Sequence, residues 1–248
     1  MNKLMTSAAA LTLLAFNTVA SETEEVQDMS DPLAVFTQVG AGYTDKGLNI
    51  KIGQTFDTGD VNTGGMYVFE LKGAIGDSLG YRDEATDSVD SLRFRRFGVD
   101  FSNGRGSQID FNYSFASDSG TASYSFIQAL PAMGPFQLFP LGGAGVAFAN
   151  DVEVGYQIPG TFAVVGTYGK LTINDKIWLN YNPMWMTTLS GSDAFKDGGM
   201  EGDSAVLIHE FAASYQFNPR FNVRYFANWS ENTDLKDGEH RIEFNYQL

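Results

Sequence analysis

The amino-acid sequence predicts an all-β protein, a single antiparallel up-and-down transmembrane β-barrel of about twelve strands. Three observations carry that expectation. Runs of about ten residues alternate apolar and polar side chains and end in Gly, Asn, Asp or Ser, as strands do when one face meets lipid and the other a wet lumen. The final run, "HRIEFNYQL", reaches the last residue in mid-pattern: Ile242, Phe244, Tyr246 and Leu248 share one face, and Arg241, Glu243, Asn245 and Gln247 the other. Such an edge needs a partner, and a sheet closed on itself supplies one. No stretch approaches the roughly 18 consecutive apolar residues of a spanning helix, so membrane residence requires strands.

Residues 1–20 carry Lys3, the apolar run "AAALTLLAF" and a small-residue ending at Ala20, which reads as a secretory signal with Ser21 starting the mature chain. Residues 21–32 form an acidic segment, expected on the periplasmic side, and residues 33–248 the barrel. Strands are expected near 34–43, 48–57, 66–74, 91–101, 107–117, 121–130, 136–149, 160–172, 176–187, 204–217, 220–230 and 239–248. In "SQIDFNYSFA", Ile109, Phe111, Tyr113 and Phe115 oppose Gln108, Asp110, Asn112 and Ser114. In "RFNVRYFANW" the alternation holds except at Phe226. The turns "SNGRG", "IND" and "FNPR" fall on the side of the termini, whereas 75–90, 188–203 and 231–238 are long, acidic and expected outside.

There is no cysteine, which removes disulfides and thiol chemistry, and 14% aromatic residues with 27 Gly and 7 Pro suit strands and turns. The net charge of −14 and the lack of a basic run exclude nucleic acid as a partner. Acid collects at Asp83, Glu84, Asp87 and Asp90, at Asp193, Asp197, Glu201 and Asp203, and at Glu231, Asp234, Asp237 and Glu239. These blocks read either as solvated loops or as places where divalent cations sit among lipid phosphates. No stretch has EF-hand spacing, and neither a metal site nor a cofactor is expected.

A soluble β-sandwich would also alternate, but its inner face would be aliphatic. Here aromatic residues recur near strand ends, at Tyr43, Phe56, Phe101, Tyr113, Tyr215, Phe217, Trp229 and Tyr246, as an interfacial girdle requires. With its signal segment, even series of amphipathic strands and terminal strand, the chain resembles Gram-negative outer-membrane β-barrel proteins. The resemblance implies outer-membrane lipids and lipopolysaccharide as surroundings. It also implies that Ile242, Phe244, Tyr246 and Leu248 are read by the barrel-assembly machinery, although the last residue in that group is usually Phe or Trp. "SLRFRRFGVDF" is similar to an Arg-rich strand of phosphate- and polyphosphate-selective porins.

Within that stretch the apolar parity switches, from Leu92 and Phe94 to Phe97, Val99 and Phe101. A β-bulge at Arg95-Arg96 would keep the apolar face outward and turn Arg93, Arg95 and Arg96 into the lumen, avoiding the roughly 2 to 4 kcal/mol cost of Arg on the lipid face at mid-membrane. Inward parity also gives Lys51, Glu70, Lys72, Asp100, Asp110, Glu210, Arg224, Arg241 and Glu243, with Asp110 diagonal to Arg96 and Glu243 diagonal to Arg224. These charges read either as a salt-bridge lattice filling the barrel or as a channel wall that orients charged solutes. His209 and His240 fall on the lipid-facing parity, and "HEF" and "HRI" lack the His-x-Ser arrangement of lipid-modifying barrels, so no catalytic residue is selected. The expected function is a porin-like passive channel for small hydrophilic or charged solutes. The alternatives are a closed barrel serving structure or surface contact and, behind it, a lipid-modifying enzyme or protease.

Overall fold

The computed structural model describes residues 26–80 and 89–248. The expected signal segment and Asp83, Glu84 and Asp87 lie outside them. Twelve strands form one closed, wholly antiparallel barrel in which each pairs with its sequence neighbours and the last with the first. They are β1 (Gln38–Thr44), β2 (Gly47–Phe56), β3 (Thr63–Ala74), β4 (Ser91–Asp100), β5 (Arg105–Ser114), β6 (Ser119–Gln128), β7 (Phe136–Asp151), β8 (Gly155–Asn174), β9 (Ile177–Gly191), β10 (Ala205–Asn218), β11 (Phe221–Ser230) and β12 (Glu239–Gln247). Two short helices, α1 (Gly76–Leu79) and α2 (Asp193–Gly198), lie in long loops.

The terminal strand closes the sheet as its alternation requires. Gln38 to Thr44 of β1 pair in unbroken register with Gln247 to Arg241 of β12, so neither strand keeps a bare edge. Ile242, Phe244 and Tyr246 point outward and remain 43–47% exposed, while Glu243, Asn245 and Gln247 point inward and are buried. The same parity runs round the wall, with Ile50, Ile52, Phe69, Ile109, Phe126, Trp185 and Tyr215 outside. A continuous apolar exterior with a buried polar interior is the inverse of a soluble domain and matches a lipid solvent.

The start of β1, the end of β12 and the turns after β4, β8 and β10 lie at one end, here the terminus end; the long loops after β3, β9 and β11 lie at the other, the long-loop end. The β1–β2 turn at the long-loop end is also tight, so the asymmetry holds for the long loops and not for every tight turn. The expected first strand began at residue 34, but β1 starts at Gln38. Residues 26–36 fold inside the barrel mouth instead, where Met29, Leu33 and Phe36 are buried.

The expected bulge in β4 does not exist. Residues 91–100 pair without a shift with β3 on one side and β5 on the other. Arg93, Arg95, Phe97 and Val99 therefore face inward, and Arg96 faces lipid between Tyr67 and Ile109. Two facts make this arrangement tolerable. Val99 lines a stretch of lumen that an apolar segment fills, with Leu33 packed on Val99 and Phe139, and the Phe97 ring lies 5.2 Å from the Arg95 guanidinium. Arg96 stands four residues from the end of β4, within about 13 Å of the interface along the strand, and its guanidinium lies 5.1 Å from the centre of the Phe56 ring.

Candidate functional site

The lumen is the site, and its side chains divide into three layers. At the terminus end Val99, Ile127, Phe139 and Tyr168 turn inward and pack around Leu33 and Val35. At the long-loop end Phe162, Met186, Val206 and Ile208 receive Phe195 and Met200 from the β9–β10 loop. Helix α2 presents Phe195 with Ser192 as its N-cap, the hydroxyl accepting from the Phe195 amide at 3.2 Å. Gly160 makes the seat, because a Cβ there would stand 2.1 Å from the Phe195 ring.

Between these apolar layers lies the charge. Seven lumen-facing strand positions are cationic, Lys51, Lys72, Arg93, Arg95, Lys170, Arg224 and Arg241, against the carboxylates Glu70, Asp110, Glu210, Glu239 and Glu243. A protein of net charge −14 thus keeps a net positive interior.

The pairings differ from the expected diagonals. Asp110 sits opposite Arg95, but its carboxylate accepts from Arg93 Nε at 2.9 Å and Nη2 at 2.5 Å, and from Gln108 Nε2 at 2.9 Å. Arg95 pairs with Glu70. Arg96, on the outer face, cannot join this set. Asp100 also leaves the lumen: with no bulge its parity is outward, and it caps the β4–β5 turn by accepting from the Ser102 amide at 3.0 Å and Asn103 Nδ2 at 2.7 Å. Glu243 stands directly opposite Arg224 rather than diagonal to it. It receives Lys51 Nζ at 2.5 Å and Asn49 Nδ2 at 3.1 Å, with Arg241 Nε at 3.5 Å. Arg224 donates instead to neutral partners, Ser214 Oγ at 3.0 Å and Asn180 Oδ1 at 2.9 Å. Glu210 accepts from Asn182 at 2.8 Å.

Phe226, the one break in the β11 alternation, faces inward because two cations need its ring. Arg241 and Arg224 lie 4.1 and 4.7 Å from its centre. Sequence parity flagged the exception without showing its partners. The lumenal amides Asn49, Asn180 and Asn182 were missed, since alternation assigns a face but not a role.

Exposure is uneven around the ring. Asn49, Asn180, Asn182, Asn222, Glu70 and Glu243 are all at most 6% exposed. On the opposite wall the inward positions are small, with Ser123 facing Gly145 and Ser125 facing Gly143, and they are only partly buried. Arg93, held by Asp110 of β5, keeps its side chain 32% exposed. The lumen is therefore asymmetric, a packed polar lattice on one side and small side chains on the other.

His209 and His240 lie on the outer face as parity predicted. Tyr181 Oη is 2.8 Å from His209 Nδ1, and the ring stacks on Trp229 at 5.0 Å. His240 Nε2 lies 3.0 Å from the Leu235 carbonyl and so donates to it, which leaves a neutral ring's Nδ1 to accept from Tyr225 at 2.7 Å. Both imidazoles belong to the aromatic girdle. Among the described residues no three His, Asp or Glu side chains converge as cation ligands.

No protein-family model and no curated protein matches the chain. Solved structures do. The barrel is similar to the NanC porin, with a TM-score of 0.53 and 10% identity over 86% of this chain and all of that one. It is similar to the KdgM porin, with a TM-score of 0.50 and 8% identity over 86% of this chain and 99% of that one. The likeness is one of fold: the chain is a closed twelve-stranded antiparallel barrel, the architecture that the resemblance implied.

Proposed function

We propose that the protein is an outer-membrane, porin-like passive channel that favours small anionic or neutral hydrophilic solutes. One observation supports the reading above the rest: a net positive lumen inside a strongly acidic chain. Low-dielectric walls focus the field of Arg93, Arg95, Arg224 and Arg241 on the passage, while acidic loops outside carry the opposite sign. The small-residue wall of β6 and β7 provides the passage, and the buried lattice opposite provides a rigid surface. Flux into proteoliposomes tests this. Small organic anions should enter faster than cations of equal size.

A second reading is favoured by a different observation. Lumen amides and carboxylates buried to a few per cent, with both mouths covered, also suit a closed barrel that serves envelope structure. Equal exclusion of anions, cations and neutral solutes by full-length protein, and by variants with uncovered mouths, would favour that reading.

A further inference from the structure

We propose that residues 27–36 are a detachable plug that closes the terminus end of the lumen. The inference deepens the channel reading and rests on it for its physiological meaning, but its geometry stands separately. The segment crosses the whole mouth. The Gln247 side-chain amide meets the backbone of Gln27, Gln216 and Asn222 donate to Met29 Sδ at 3.4 and 3.5 Å, and Lys170 pairs with Asp28 at 3.4 Å. Leu33 then packs on Val99 and Phe139. Those partners run from β12, β11 and β10 through β8 and β7 to β4, and β4 stands diametrically opposite β10 in the ring.

Its mode of attachment makes it separable. Its backbone-to-backbone hydrogen bonds are local, Asp31 N to Asp28 O at 3.0 Å and Ala34 N to Asp31 O at 3.1 Å, so no ladder joins it to the wall. Apolar anchors and side-chain contacts hold it, and withdrawing them leaves every strand pair intact. The sheet begins just beyond: the Thr37 carbonyl accepts from the Leu248 amide at 3.0 Å, fixing a pivot between the segment and β1. The plug also acts on charge. Asp28 occupies Lys170, whose side chain is only 11% exposed, so withdrawal frees one lumen cation and strengthens anion preference.

The test uses the full-length refolded protein, whose lack of cysteine allows a single reporter. Ser214→Cys places a near-isosteric thiol in the lumen, two residues along β10 from Gln216. Its reaction with a small charged thiosulfonate is timed in three backgrounds: the native segment, Met29→Asp with Leu33→Asp, and residues 27–36 replaced by a Gly-Ser stretch of equal length. Heat-dependent gel mobility confirms a closed barrel in each. The rate should rise at least tenfold in both altered backgrounds. An unchanged rate in folded protein overturns the plug. A raised rate without ion current through either altered protein supports the plug and overturns the channel reading instead.

Discussion

Arg96 and Asp118 show how far one side chain's meaning depends on its neighbours. The parity switch at "RFRRF" was legible in the sequence, and so was the penalty for Arg on lipid. What was not legible was that Val99 has an apolar partner in Leu33, sixty-odd residues away, that the Phe97 ring takes the Arg95 guanidinium, or that Phe56 stands beside Arg96. With those contacts the switch needs no bulge. Arg93→Gln with Arg95→Gln should therefore move the reversal potential toward cations, most at low salt where screening is weakest, whereas Arg96→Gln should leave it unchanged. An equal shift from Arg96→Gln would return that residue to the lumen. Asp118 holds the rim of two hairpins together. Its carboxylate accepts from Tyr113, from Tyr156 at 2.5 Å and from Asn150 at 2.5 Å, and its φ of 46° lies in the left-handed region that Asp and Asn tolerate. The hydrogen bond from Tyr113, followed by those from Tyr156 and Asn150, holds this carboxyl below its ordinary value. A depressed carboxylate adds stability above its unfolded pKa of about 3.9, and that stability is lost as pH falls through the folded value. Asp118→Asn should lower the melting temperature at pH 7, and the gap from wild type should close below about pH 4. A gap that ignores pH would mean the charge plays no part.

At the scale of elements, period-2 alternation located all twelve strands, because lipid outside and polar groups inside force opposite chemistry on successive residues. It located none of the pieces that cover the mouths. Residues 26–36 and α2 have no periodicity, and their burial is decided by sockets on distant strands. Burying Met29, Leu33 and Phe36 contributes at most about 5 to 9 kcal/mol together, which is why the covered state is the one the chain adopts. The β9–β10 loop is seated by Phe195 and Met200 and by hydrogen bonds from Thr188 to the Lys196 carbonyl and from Ser230 to Glu201. Phe195→Ser should unseat α2 and speed modification of a lumen thiol several-fold while the barrel keeps its heat-dependent gel mobility; an unchanged rate would show that α2 does not cover the mouth. The closing strand makes an opposite prediction, of a lost fold. Phe244→Asp and Tyr246→Asp put charge on its lipid face and should cut insertion sharply, measured as the outer-membrane fraction, whereas Leu248→Phe should be neutral or better. Normal insertion of both Asp variants would contradict a lipid-facing β12.

Across the whole molecule, charge is sorted by place: acidic loops outside, cations in excess within. Composition alone gave the first half, since the acid blocks are contiguous in sequence. The second half needed register, because Lys51, Arg93, Lys170 and Arg241 come together only when twelve strands close into a ring. The covered mouths give the account its central claim, that the barrel is an anion-favouring passage held shut by its own chain. Reversal potential across a planar bilayer, under a salt gradient, tests it most directly on wild-type protein and on protein with residues 27–36 replaced by Gly-Ser. The wild type should open rarely and the replaced form persistently, both with potentials displaced toward the anion equilibrium value. No current from either, or a displacement toward cations, would contradict it.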